Sequence, residues 1–189
     1  MIGALAAAAV AAAGLGDWRP TPHEARRLAA GHVVVEMLPD PGRSSGVIHA
    51  AIDIPAPASR VWALVQDCAD APKVVTFLVG CQVIRRGPSG AWDVREDTIG
   101  VLFLPRLRVM LRTEATPMRE FRFHCLPGGD LNACDGETTL ETTPAGAVRV
   151  IYASAVSSPF PLPDLIIRTV LGAAVAQSLT NLRRAATGP

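Results

Sequence analysis

The feature that most constrains the fold of this chain is a run of short alternating segments from residue 79 onward, with no helical pattern between them. Clusters of Gly and Pro separate these segments at intervals of roughly ten residues. This spacing predicts a meander of antiparallel strands, which packs one face on a core and leaves the other in solvent. The predicted strands are 79–86, 92–102, 106–115, 120–125, 135–142 and 148–156.

Shorter elements precede the meander. Thr21 and Glu24 match a capping box, and Pro22 occupies the first helical position. We therefore expect a short helix that starts here and ends at Gly31. Two strands joined by a loop follow in the pattern, at 32–38 and 46–54 with the loop at 39–45.

Two further helices complete the pattern. Trp62 and Val65 lie on one apolar stripe and predict a helix after the Pro-rich segment 55–59. A second Pro-rich turn, 158–163, precedes the longest predicted helix, which begins at Asp164 and continues almost to the end of the sequence.

The order of these elements predicts an α+β fold. The apolar face of the meander is too large for the short helices to cover, so the long terminal helix must lie across it. A strongly curved antiparallel sheet closed by one helix leaves an internal space between the two. Such a space suits an apolar small ligand.

Residues 1–16 form an Ala-rich apolar run without any charged or polar side chain. The run is shorter than the roughly 20 residues that span a bilayer, and it matches the apolar centre of a secretory signal. No Lys or Arg precedes it, since the first basic residue is Arg19. We expect a signal peptide at 1–16 and export, most simply to the periplasm. The alternatives are an Ala-rich helix packed on the domain of a cytoplasmic protein, or a start site placed inside a longer signal.

Four cysteines fall into two local pairs, Cys68 with Cys81 and Cys125 with Cys134. An even number fits a disulfide-bonded protein of an oxidising compartment, although four cysteines allow three connectivities. Period-2 counting across the predicted hairpin places Cys125 and Cys134 on one inward face. Free cysteines buried as small hydrophobic residues are the alternative.

Charge and motif content exclude several classes of function. The 18 basic and 17 acidic residues give a formal net charge of +1, so the chain lacks the basic field with which proteins gather nucleic acid. No C-x-x-C or H-x-x-x-H spacing indicates a metal site, and no G-x-S-x-G motif or Gly-rich phosphate loop is present. We therefore predict no nucleic-acid partner, no stable membrane span, no metal and no cofactor.

Four stretches of the chain together carry a family resemblance: 46–62, 136–140, 148–152 and 160–163. With the closing helix, they resemble the START-like superfamily, also called SRPBCC, which includes polyketide cyclase/dehydrase and coenzyme Q-binding START-type proteins. The resemblance covers about residues 46–186 and leaves 17–45 as an N-terminal extension of one helix and one strand. It implies a helix-grip fold, in which a curved antiparallel sheet wraps around a long C-terminal helix with a hydrophobic cavity between them.

Inward strand positions and the inner face of the last helix are expected to line this cavity. Period-2 counting puts Glu96 on the face of Trp92, where a carboxylate would orient a polar head group. Tyr152, the only tyrosine, offers a hydroxyl to a ligand oxygen. An ordinary filled core is the alternative for the apolar positions, and a solvent-facing edge is the alternative for Glu96. The predicted ligand-binding residues are Trp92, Glu96, Val109, Leu111, Phe121, Phe123, Tyr152, Ile167, Leu171 and Val175; no catalytic residue is predicted.

The resemblance implies the binding or transport of a lipid, isoprenoid or quinone-like molecule, without catalysis. A polyketide cyclase/dehydrase-type enzyme and a protein-interaction module are the alternatives. An enzyme should place at least two titratable groups inside the cavity, whereas a carrier needs little beyond an apolar wall. The polarity of the cavity therefore discriminates between these functions.

Overall fold

The computed structural model describes residue 15 and residues 17–40, 43–101, 105–131, 134–157 and 163–188. The expected signal segment, apart from Leu15, lies outside the described residues. In chain order the elements are α1 (Pro22–Ala29), β1 (Val34–Asp40), β2 (Arg43–Ile54), α2 (Ala58–Gln66), α3 (Ala71–Val74), β3 (Leu78–Arg86), β4 (Trp92–Ile99), β5 (Leu107–Thr116), β6 (Glu120–Cys125), β7 (Cys134–Thr142), β8 (Val148–Val156) and α4 (Asp164–Thr187).

Within the described ranges, eight strands form one antiparallel sheet in the order β1-β2-β8-β7-β6-β5-β4-β3. The meander predicted from residue 79 onward is confirmed, because β3 to β8 are consecutive neighbours in this order. The predicted loop at 39–45 is shorter than expected. Strand β1 runs to Asp40 and β2 starts at Arg43, and these two residues pair with each other.

The N-terminal helix α1 starts with the expected capping box. The Thr21 hydroxyl accepts a hydrogen bond from the Glu24 backbone N–H at 3.3 Å, and the Glu24 carboxylate accepts one from the Thr21 N–H at 2.8 Å. Leu28, near the end of this helix, is fully buried against Val34 and Ile151. Helix α1 therefore covers the outer face of the sheet at β1, β2 and β8.

The long helix α4 lies across the inner face of the sheet, on β1 and β2, and also packs against α2 and α3. Leu179 and Leu182 are buried in the same cluster as Ile52 of β2 and Trp62 of α2. Among the described residues, the segment Leu165–Thr187 is long and apolar enough to cross a membrane by length and composition. Because one side of it is buried against the sheet, α4 is the core helix of this fold.

Both local cysteine pairs are bonded. Cys125–Cys134 joins β6 to β7 with Cα atoms 5.1 Å apart, and Cys68–Cys81 joins the segment after α2 to β3 with Cα atoms 5.4 Å apart. Of the three connectivities that four cysteines allow, the one that joins the two local pairs is therefore formed. Two disulfides are typical of a protein that folds in an oxidising, exported location.

Candidate ligand-binding cavity

A cavity of about 430 Å³ lies between α4, the segment from α2 to β3, and the inner face of the sheet. Small-molecule sites have volumes of roughly 300–1,000 Å³, so this space is large enough for a ligand. The long helix lines the cavity over most of its length, from Ile166 to Leu182. The sheet contributes inward side chains of β4, β5, β7 and β8.

The wall opposite the sheet extends from Leu64 in α2 to Phe77, the residue before β3. Two hydrogen bonds attach this wall to α4: the Thr76 backbone N–H donates to Ser178 Oγ at 2.9 Å, and Asn181 Nδ2 donates to the Val74 carbonyl at 3.3 Å. The carbonyl of Phe77 accepts a hydrogen bond from the Gly100 N–H at 2.8 Å. The wall is thus connected to both the helix and the sheet.

The polar side chains among the described lining residues all carry hydroxyl groups. Thr138 and Tyr152 are directly opposite each other on β7 and β8 and both face the cavity. Ser178 Oγ is already used, since it donates to the Ala174 carbonyl at 2.8 Å. The Thr76 hydroxyl oxygen is buried and has no hydrogen-bond partner among the described residues. It is therefore available to a ligand.

Tyr152 is the only titratable side chain among the described lining residues. Burial raises the pKa of its phenol above the ordinary value, so the group stays protonated and neutral at physiological pH. The internal segments that are not described, 41–42, 102–104, 132–133 and 158–162, contain no ionisable residue in the sequence. The cavity thus offers hydrogen-bonding groups without a formal charge.

Four of the ten residues predicted to bind a ligand line the cavity. Tyr152 enters from β8, and Ile167, Leu171 and Val175 enter from α4. The helical residues lie on one side of α4, as their spacing of four predicts.

Another four predicted residues face inward but lie in the packed core outside the cavity lining. Val109 and Leu111 of β5 are buried with Cys134 and Phe123. Phe121 is buried in the cluster of α2 and the C-terminal half of α4. For these four residues the structure corresponds to the alternative of an ordinary filled core.

Trp92 and Glu96 lie on the opposite, outer face of the sheet, and their expected position in the cavity is corrected. The guanidinium groups of Arg85 and Arg112 lie over the Trp92 ring, 5.2 and 4.6 Å from its centroid. Glu96 is partly exposed and lies 3.6 Å from Arg108 in an ion pair.

The reason for this reversal is a charged cluster on the inner face of β4. Arg95 Nε and Nη2 donate to the two carboxylate oxygens of Asp93 at 2.9 and 2.7 Å, and Thr113 Oγ1 donates to Asp93 at 2.6 Å. Asp93 and Arg95 are only 9% and 5% exposed. Because the buried ion pair satisfies its own hydrogen bonds, this strand turns its charged residues inward and its apolar Trp92 and Val94 outward.

Sequence reasoning missed the wall formed by 71–77. This segment reads as a broken helix after Pro72, and neither helical nor strand periodicity assigns a buried face to so short a piece. The two cysteines at 68 and 81 were the available signal, because a bond between them closes this segment into a loop.

The chain matches the family model described as polyketide cyclase / dehydrase and lipid transport over residues 45–187. A comparison with curated proteins finds no match.

Solved structures share the fold. The chain is similar to a STAR-related lipid transfer protein from Xanthomonas axonopodis, with a TM-score of 0.70 and 12% identity over 82% of this chain and 94% of that one. It is similar to a START superfamily protein from Mycobacterium smegmatis, with a TM-score of 0.65 and 11% identity over 74% and 96%. It is also similar to the Zhui aromatase/cyclase from a Streptomyces species, with a TM-score of 0.58 and 15% identity over 74% and 90%. At these identities the likeness establishes the helix-grip fold alone.

Proposed function

The chain belongs to the polyketide cyclase/dehydrase and lipid transport family, and on that premise we propose that it binds and carries an uncharged hydrophobic molecule in its cavity without changing it chemically. The expected START-like membership and α+β helix-grip fold are confirmed. The observation that carries the proposal is the lining of the cavity, which combines apolar side chains with a few neutral hydroxyl groups. A lipid, isoprenoid or quinone-like molecule with a neutral oxygen-bearing head matches this lining.

Tyr152 and Thr76 are the proposed contacts for the polar end of the ligand. The phenol of Tyr152 is protonated and donates to a ligand oxygen, while the free Thr76 hydroxyl can donate or accept. Ile167, Leu171 and Val175 of α4 are the proposed contacts for the apolar part. A charged head group would be left without a counter-ion in this lining and is disfavoured.

An aromatase/cyclase-type enzyme is the second candidate, since the chain shares its fold with the Zhui aromatase/cyclase. Acid–base chemistry in the cavity would need a proton donor and a proton acceptor that converge on one substrate. Among the described lining residues Tyr152 alone titrates, and its raised pKa makes it a poor base. A lining with one titratable side chain therefore favours binding over catalysis.

We also infer that the protein acts after export, most simply in the periplasm. The two disulfides support this inference, because such bonds persist in oxidising compartments. The proposed organisation is a signal peptide at 1–16, an extension at 17–45 and a ligand-binding domain at 46–186.

Native mass spectrometry of the protein, purified without detergent from the compartment to which it is exported, tests the binding function directly. We expect a fraction of the molecules to carry an added mass, and extraction with organic solvent should release a neutral lipid or isoprenoid. A protein that is folded, disulfide-bonded and uniformly free of added mass would contradict the proposal.

A matched pair of substitutions on α4 locates the ligand. Leu171 lines the cavity, whereas Leu165 is 70% exposed and is not part of the lining. Leu171→Trp should occupy ligand space and weaken binding of the neutral dye N-phenyl-1-naphthylamine by about tenfold, which corresponds to about 1.4 kcal/mol. Leu165→Trp should leave the affinity unchanged. Equal effects of the two substitutions would place the dye outside the cavity.

A further inference from the structure

The Cys68–Cys81 disulfide closes the chain segment that forms a wall of the cavity. Between the two cysteines, α3 and the residues after it contribute five lining side chains, Ala71, Val74, Val75, Thr76 and Phe77. Phe77 has a φ of 70°, in the left-handed region that non-glycine residues rarely adopt. The hydrogen bond from the Gly100 N–H to the Phe77 carbonyl ties this residue to the sheet.

A buried carboxylate adjoins the same disulfide. Asp97 of β4 is the direct cross-strand partner of Cys81, and a carboxylate oxygen of Asp97 lies within 4.8 Å of both sulfur atoms. Asp97 Oδ1 is buried and has no hydrogen-bond partner among the described residues. A buried, unpaired carboxylate destabilises a fold, so a structural role alone does not account for this side chain.

The surroundings of Asp97 raise the pKa of its carboxyl toward neutral pH. Burial raises the pKa of Asp97 to about 6, with Arg95 opposing the shift and Asp93 adding to it. These two residues are on its own strand, and they are already bonded to each other. From the neighbouring strands, Asp97 faces Cys81 on β3 and the apolar Val109 on β5.

We propose that the Cys68–Cys81 disulfide is a redox-active bond whose reduction by a dithiol protein opens the cavity wall, with Asp97 as the proton donor to the departing thiolate. The effect on the cavity rests on the proposed ligand-binding function, whereas the reduction chemistry does not. The ligand would be held while the bond is oxidised and released when it is reduced.

The reaction is a thiol–disulfide exchange of two electrons. A thiolate of the reductant attacks Sγ of Cys81, which is partly exposed, while Cys68 is only 7% exposed. The bond between the two protein sulfurs breaks, its electron pair goes to Cys68 Sγ, and that sulfur takes the proton of Asp97. The second thiolate of the reductant then attacks the mixed disulfide, so the reductant is oxidised to its own disulfide. The Cys81 thiolate and the Asp97 carboxylate are reprotonated from water.

The reduction rates of the two disulfides, measured in one sample, test the chemistry. The oxidised protein is treated with dithiothreitol from pH 5 to pH 8, and alkylated peptides are quantified by mass spectrometry. The ratio of the Cys68–Cys81 rate to the Cys125–Cys134 rate cancels the ionisation of the reagent. We expect this ratio to rise about tenfold as the pH falls through 6.

Asp97→Asn removes the proton donor and preserves the size of the side chain. We expect it to abolish the rise in the ratio at low pH and to leave the reduction of Cys125–Cys134 unchanged. If the variant does not fold, the pH dependence of the rate ratio in the wild-type protein tests the role of Asp97. A ratio independent of pH, or an unchanged profile in Asp97→Asn, would overturn the role of Asp97.

The consequence for the cavity is tested with N-phenyl-1-naphthylamine bound to the oxidised protein. Dithiothreitol should release the dye in step with cleavage of the Cys68–Cys81 bond, with about tenfold weaker affinity of the reduced form. A dye that never binds the oxidised protein contradicts the proposed function. The pH profile of disulfide reduction tests the role of Asp97 independently of that result. A dye that stays bound after cleavage overturns the opening of the wall.

Discussion

The two disulfides close loops of similar length but adjoin different parts of the molecule, so their removal should separate stability from binding. The bonded residues are 13 and 9 positions apart in the chain. Chain-entropy arguments then give each bond about 3 kcal/mol of stabilisation at 25 °C. The variants Cys68→Ala/Cys81→Ala and Cys125→Ala/Cys134→Ala should therefore lose similar stability.

The effect on the cavity should differ between the variants. The first pair releases a segment with five lining residues, whereas the loop closed by Cys125–Cys134 contributes only one described lining residue, Leu131. A wall that must be ordered again on binding costs affinity. We expect the Cys68→Ala/Cys81→Ala variant to bind N-phenyl-1-naphthylamine about tenfold more weakly, and the Cys125→Ala/Cys134→Ala variant to bind it nearly as well as the wild type.

Urea unfolding followed by circular dichroism measures the stability, and dye fluorescence measures the binding, both without reductant. A loss of about 3 kcal/mol corresponds to a fall in the melting temperature of roughly 6–12 °C for a chain of this size. Equal losses of affinity in the two variants would refute the assignment of the wall to the Cys68–Cys81 loop. A loss of affinity confined to Cys125→Ala/Cys134→Ala would place the binding site elsewhere.

Two predictions concern the dependence of stability on pH. Because burial raises the folded-state pKa of Asp97 to about 6 from an ordinary value of 3.8, the folded state binds a proton that the unfolded state releases in this range. The free energy of unfolding should therefore rise by about 1 kcal/mol as the pH falls from 7 to 5, and Asp97→Asn should remove this rise in urea titrations. The Asp93 carboxyl behaves in the opposite way: burial opposes its ionisation, but hydrogen bonds from Arg95 and Thr113 lower its pKa. Its contribution to stability is present above the ordinary pKa and is lost as the pH falls through the lowered value, so Thr113→Val should shift acid unfolding to higher pH.

Local sequence patterns predicted the elements of this fold because each depends on neighbours in the chain. The capping box at Thr21 satisfies backbone donors only three residues away, and it is present as predicted. The strands of the meander alternate in polarity between turn residues, which is a local signal as well. The position of Leu171 and Val175 on α4 followed from helical spacing and the need of the sheet for a cover.

The contents of the cavity could not be predicted in the same way, because they depend on how far apart the elements pack. Phe121 and Leu111 face inward as counted, but neighbouring side chains fill the space in front of them. The wall around Thr76 belongs to a short segment whose place is set by hydrogen bonds to α4 and by a disulfide. The periodicity of the sequence does not determine the packing distances between these elements.

The prediction that Trp92 and Glu96 of β4 line the cavity was wrong for a different reason. That reason connects the fold to the proposed redox chemistry. Counting assumed that apolar residues face the core, yet the strand turns Asp93, Arg95 and Asp97 inward. Two of these charges satisfy each other within hydrogen-bond distance, so their burial needs no further explanation. The third has the same orientation because side chains alternate along a strand, and it comes to lie beside the disulfide that closes the cavity wall of residues 71–77. An apolar residue at position 97 would avoid the desolvation of a carboxylate. An apolar residue could not perform the proposed proton transfer to the neighbouring sulfur, and this transfer accounts for a carboxylate at position 97.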